Sequence, residues 1–295
     1  MELINIELGT SLFYYIYLLL IAGLFVGLYY GLRHKSKQVQ KRVLFGLLAV
    51  NFALHFIKLS FPEYINAGFP GIIRKCTAEN ICAVSTLIFP FIYLSDWKVG
   101  KDYMFYLGTI SGFLSCFAPM PIVGLPFYSL ETIRCYFCHA ILWQVPLLMV
   151  IFGHHKIDYR RIWKSIVMYF LVLCVIIVNE LIVIRIGWWT DTTTIEEFLD
   201  PSTGRDMGYA IGVPESMSNV AKYVLWMTPK AWRNVPVLWE LFPVIIYGGF
   251  VCLCLSIYWE HEHIRQDLLK ILNKIKSLKK GEEDEEYSQN NSDIE

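Results

Sequence analysis

"WKSIVMYFLVLCVIIVNELIVIRIG" (residues 163–187) is apolar for almost its whole length, and only one kind of structure keeps such a run in register. A lipid-spanning helix needs about 20 apolar residues, because the hydrocarbon core is about 30 Å thick and each residue rises about 1.5 Å. Comparable windows fall at 11–32, 43–61, 78–95, 103–118, 132–152 and 237–258, which makes seven spans and an all-α polytopic membrane protein. The composition agrees, since 55% of the 295 residues are hydrophobic and 18% are charged, too apolar for an ordinary soluble domain. The window at 103–118, "YMFYLGTISGFLSCFA", is short and rich in Gly and Ser, which suits close helix packing or a tilted or broken helix. The opening residues lack the basic start and cleavage site of a secretory leader, so the first window is expected to be a retained span.

The formal net charge of zero hides segregation along the chain. Arg33, Lys35, Lys37, Lys41 and Arg42 fill the first loop, Lys98 and Lys101 the third, and Lys156, Arg160 and Arg161 the fifth; the C-terminal segment is basic from Arg265 to Lys280. By the positive-inside rule the N-terminus is outside and the C-terminus cytoplasmic. Residues 1–260 then form the membrane domain, with a long extracytoplasmic loop at 188–236 that includes an interfacial helix around Ser216–Met227. Residues 261–295 read as a basic amphipathic segment followed by an acidic, disordered tail. The expected location is the cell membrane, as a multi-pass protein. The expected partners are membrane lipids and not nucleic acid; no cofactor is implied, and nothing in the chain specifies an oligomeric partner.

Polar side chains inside spans are costly, so by default they face the bundle interior and mark a site. The quoted run carries Asn179 and Glu180 near its end. The second span places Asn51, His55 and Lys58 on one helix face, at spacings of four and three. Glu79, Asn80, Cys82 and Ser85 open the third span, and Arg134, Cys135, Cys138 and His139 open the fifth. With the orientation above, Lys58, Cys82, His139 and Asn179 all lie within roughly 15 Å of the outer boundary. Lys58 is expected to pair with Glu79 or Glu180, because a lone buried ammonium is expensive. Cys116, Cys174, Cys252 and Cys254 read as packing residues, and His154, His155, His261 and His263 as solvated.

"CYFCH" (135–139) allows several readings. It matches the attachment pattern of c-type haem, but it runs straight into a buried helix and no second axial ligand is identifiable. A zinc site would need more ligands than Cys135 and His139 on one face, and a disulfide from Cys76 to Cys135 or Cys138 is conceivable outside the cell. A Cys/His pair uses most of the layer: the His takes the thiol proton and the thiolate attacks a lipid ester carbonyl just beneath the headgroups. Arg134 or Lys58 would hold the phosphate, and Asn80 or Asn179 would donate to the developing oxyanion, with His55 and Glu79 lining the substrate side.

"TAENICAVSTLIFPFIYLS", "YLGTISGFLSCFAP", "IRCYFCHAILWQVPLLMVIF" and "VNELI" together resemble the YwaF family of polytopic membrane proteins, which is related to the animal transmembrane-protein-164 acyltransferases. The resemblance covers about residues 40–250. It implies a lipid acyltransferase that moves acyl chains between phospholipids, with Cys82 as nucleophile and His139 as base. Where many members read Pro-Leu-His-Leu-Cys this chain has "AENIC", with Asn80 in the His position. From a different class, the alternative is a sensor or transporter in which Lys58, Glu79 and Glu180 form a buried charge relay and Cys82 only packs.

Overall fold

The computed structural model describes residues 4–66, 68–69, 71–187, 193–203, 210–212 and 224–292. The Ser216–Met227 interfacial helix expected from the sequence falls mostly outside them. The main helices are α1 (Leu12–Leu32), α2 (Lys37–Ile57), α3 (Ile81–Leu94), α4 (Lys98–Leu107), α5 (Phe113–Phe117), α6 (Leu130–Ile151), α7 (Ile162–Arg185) and α8 (Gly249–Ser292). Among the described residues the only extended pairing is one isolated bridge, Asn5 to Pro126, which ties the N-terminal segment to the loop before α6. Six helical stretches among the described residues are long and apolar enough to cross a membrane, and α3 is a shorter seventh, so the protein is an all-α multi-pass membrane protein.

Local chemistry explains where the helices start. Ser11, Ser36, Asn80 and Ser129 each accept a hydrogen bond from a first-turn backbone N–H, satisfying a donor that a helix leaves open. The core helix is α6: most of its residues are buried, and it touches α1, α2, α3, α4 and the turn after α4. By contrast α1 buries only Tyr14, Ile21 and Leu32, while Leu19, Leu20 and Val26 are exposed. On α7, Leu171, Val175, Val178 and Ile182 form an equally exposed apolar stripe. A water-soluble monomer rarely exposes apolar surface on that scale, so these faces belong against lipid.

The window at 103–118 is a crossing with a defect in its middle. Between α4 and α5, residues Gly108–Gly112 form a π-helical turn. A Cβ at Gly108 would lie 2.6 Å from the Leu142 carbonyl, and one at Gly112 would lie 3.0 Å from the His139 carbonyl. The two glycines therefore bring this turn into backbone contact with α6, where no larger residue fits. The extra residue of a π-turn also rotates the helix beyond it, which aims α5 and its Ser115 at the third span.

Two expectations change. His155 is buried and not solvated: its Nε2 lies 2.8 Å from Asp102 Oδ1, and Asp102 is fully buried and also paired with Arg161. Asp102 sits inside a helix packed on α7, and those two partners satisfy its buried carboxylate oxygens. At the other terminus α8 continues as helix to Ser292, through the acidic stretch that composition alone assigns to disorder.

Candidate active site

Asn80 caps α3, and Cys82 lies in the first turn of that helix. Cys82 interacts with the His139 imidazole and lies 3.9 Å from Ser115 Oγ. Three separate elements, α3, α5 and α6, thus converge on one sulfur. The ring of His139 is oriented from its own helix, with Nδ1 2.8 Å from the Cys135 carbonyl one turn earlier. A carbonyl only accepts, so Nδ1 carries the proton in the neutral ring and Nε2 keeps the free lone pair. Cys82, His139 and Ser115 are all half-buried, shielded but reachable.

A second thiol approaches the same ring: Cys135 Sγ is 3.5 Å from Nδ1. It differs from Cys82 in two ways. Cys135 is 2% exposed, and it meets the nitrogen that already donates to the Cys135 carbonyl. Cys76, in the turn before α3, is half-buried, with burial pushing its thiol pKa up. All eight cysteines are free, so neither Cys135 nor Cys138 is bridged to Cys76.

Around the same end of the bundle lies a charge cluster with an organisation the sequence does not show. Arg74, from the 3-10 turn Gly71–Cys76, bridges Glu79 (3.2 Å) and Glu180 (2.7 Å), and all three are buried. Lys75 adds a second contact to Glu79 at 3.1 Å. Lys58, expected to pair with Glu79 or Glu180, has no ion pair among the described residues. It is 4% exposed, with its ammonium 5.7 Å from the Tyr64 ring centroid. Arg134 pairs with Glu131 and reaches the Tyr64 hydroxyl at 3.5 Å.

The remaining candidates separate by the bonds their polar atoms already make. Asn80 uses its side-chain carbonyl on Ala83 N at 2.8 Å, which leaves its amide N–H groups free to donate. Asn179 spends its amide on Thr77 Oγ1 (3.0 Å) and Glu180, so it braces the Arg74 network. His55 is buried beside the Cys76 backbone with Nε2 lacking a hydrogen-bond partner among the described residues. Ser115 and Arg74 are the residues that sequence reading missed. The Gly-rich window around Ser115 was a signal, because a kinked crossing helix has to aim its next turn somewhere; Arg74, in a loop, carried none.

A model described as the TMEM164 family matches residues 8–193, a segment that contains Cys82, Ser115 and His139. No curated protein and no solved structure matches the chain.

Proposed function

The chain belongs to the TMEM164 family, and from that membership and the convergence of three helices on Cys82 we propose that it is an integral-membrane phospholipid acyltransferase of the YwaF type. The observation that carries the proposal is the Cys82–His139 pair, with the ring held by the Cys135 carbonyl so that Nε2 keeps its lone pair. His139 Nε2 takes the Cys82 proton, and the thiolate attacks an acyl ester carbonyl of a phospholipid. The C–O bond to glycerol breaks, and His139 returns the proton to the departing lysophospholipid oxygen. Cys82 then holds the acyl chain as a thioester. A second lysophospholipid hydroxyl, deprotonated by His139, attacks that thioester and restores the thiol.

Two features support charge stabilisation. Cys82 sits in the first turn of α3, where the helix dipole and open backbone N–H groups favour negative charge. The Asn80 amide and the Ser115 hydroxyl are further donors at the same end. Lys58 and Arg134 would hold the lipid phosphate, and Lys58 suits that role because its charge is otherwise uncompensated by an ion pair among the described residues. Headgroup and ester lie at the membrane boundary, as Cys82 does if the N-terminus is outside and the protein resides in the cell membrane. Donor and acceptor would then both be outer-leaflet phospholipids.

The test is an acyl thioester. Purified protein in nanodiscs, given a phospholipid with a labelled acyl chain, should acquire label on Cys82 that neutral hydroxylamine releases and that Cys82→Ala lacks. His139→Ala should slow transfer by roughly 10²–10⁴-fold. Full transfer by Cys82→Ala would refute the proposal.

A further inference from the structure

At the end of the bundle opposite Cys82 lies a cavity of about 580 Å³, within the range of small-ligand sites. Its position comes from the connectivity. α3 begins beside Cys82 and runs about 20 Å to Leu94, and the cavity opens just beyond, among Lys98, Lys101, His154, Lys156 and the start of α7. It is separate from the thiol site, and the proposed acyl transfer does not use it.

The wall is tied together by ion pairs. Asp102, fully buried beneath it, ties His155 and Arg161 together, and Arg161 also meets Asp158 at 3.3 Å. Arg160 is engaged by Asp267 at 2.5 Å, and Glu260 by His263 at 3.1 Å. Lys98, Lys101 and Lys156 make no ion pair among the described residues, and the acids on the same wall are Asp96, Asp158 and Glu260. Lys41 adds its field at Lys101 and at His154. The Nε2 of His154 is shielded from solvent and has no hydrogen-bond partner among the described residues. Burial first, then Lys37, Lys41 and Lys101, lower the proton affinity of that ring. Three lysines on two segments that meet at one cavity, none with an ion pair among the described residues, can donate together to one anion.

We propose that this cavity is a second binding site, for a phosphate group, held by Lys98, Lys101 and Lys156. Phosphate is the anion that fits, since its several oxygens accept from converging donors on different elements, whereas a lone carboxylate offers two. The group arrives either on an anionic phospholipid of the adjoining leaflet or on a soluble phosphorylated molecule, and the experiment separates the two.

The probe is inorganic pyrophosphate, titrated onto the full chain in phosphatidylcholine nanodiscs at constant ionic strength set with sodium chloride; the reading is the unfolding midpoint. A saturable rise is expected, with apparent affinity about tenfold weaker in Lys101→Gln/Lys156→Gln. Should the double variant fail to fold, Lys156→Gln alone serves, because Lys156 is exposed and makes no ion pair among the described residues. In a second arm, nanodiscs containing phosphatidylglycerol replace the pyrophosphate. Stabilisation there that abolishes the pyrophosphate response, and that the lysine variants lack, identifies a lipid headgroup as the source; a retained response identifies a soluble one. If neither probe stabilises the protein beyond sodium chloride, or if the variants respond as the parent does, the site is overturned.

Discussion

Replacing Gly108 by Ala tests whether backbone contact between the π-turn and α6 holds the candidate site together. A Cβ there meets the Leu142 carbonyl at 2.6 Å, Phe89 Cε2 at 2.9 Å and Pro146 Cγ at 3.1 Å. The first of these is backbone, so relief requires one helix to move. Forcing a methyl group into a packed interior costs about 1–3 kcal/mol. Against that, Gly→Ala inside a helix gains roughly 0.5–1 kcal/mol from the unfolded chain. Gly46, on α2, has nothing within 4 Å of its ideal Cβ, so Gly46→Ala collects the gain without the clash. The backbone terms largely cancel between the two variants, and their difference, about 1–3 kcal/mol, reports the contact itself. In a chain of this size that is a gap of several degrees between unfolding midpoints in detergent, with Gly108→Ala the lower. Because α5 comes directly after the turn, Gly108→Ala should also weaken the Ser115–Cys82 contact and change the rate of Cys82 alkylation. A Gly108→Ala midpoint equal to or above that of Gly46→Ala would refute the reasoning.

Arg74→Met leaves Glu79 and Glu180 buried without their shared cation and should destabilise the protein by about 3–5 kcal/mol, with Glu180→Gln on top recovering part of it; simple additivity in detergent unfolding would argue against a shared network. Cys135→Ser should retain thioester formation on Cys82 while Cys82→Ser abolishes it, and mass spectrometry locating the acyl group on Cys135 would reverse the assignment. For topology, an impermeant maleimide should label a Cys introduced at Ser202 in intact cells and spare one at Lys35; the opposite pattern would put the thiol site at the cytoplasmic face.

The spans were legible because the bilayer imposes a length and an apolar composition that any single chain must show on its own. Six of the seven windows recur as long helices, and α3, at 14 residues, is shorter, starting at Ile81 after the polar 3-10 turn that carries Arg74. Apolarity marks the slab but says nothing about how a loop folds back into it. For that reason Arg74 escaped notice while Lys58, inside a span, drew it. The same blindness applied to His155, which looks solvated in a basic loop yet is buried because Asp102, on another helix, needs it.

Cys82 and His139 were visible as a pair only through depth and resemblance, and neither says which nitrogen of the ring carries the proton. That detail is set by an i−4 carbonyl, present in every helix, which becomes informative only when the side chain folds back onto it. His139 then needs no carboxylate to orient it, unlike a triad with an acidic third member. The consequence is energetic: with no buried anion beside the ring among the described residues, the imidazolium formed on deprotonating Cys82 is stabilised chiefly by the thiolate itself. An ion pair of that kind, at the N-terminus of α3, strengthens as water is excluded. On the proposed acyl transfer, entry of a phospholipid would exclude that water and raise the reactivity of the pair.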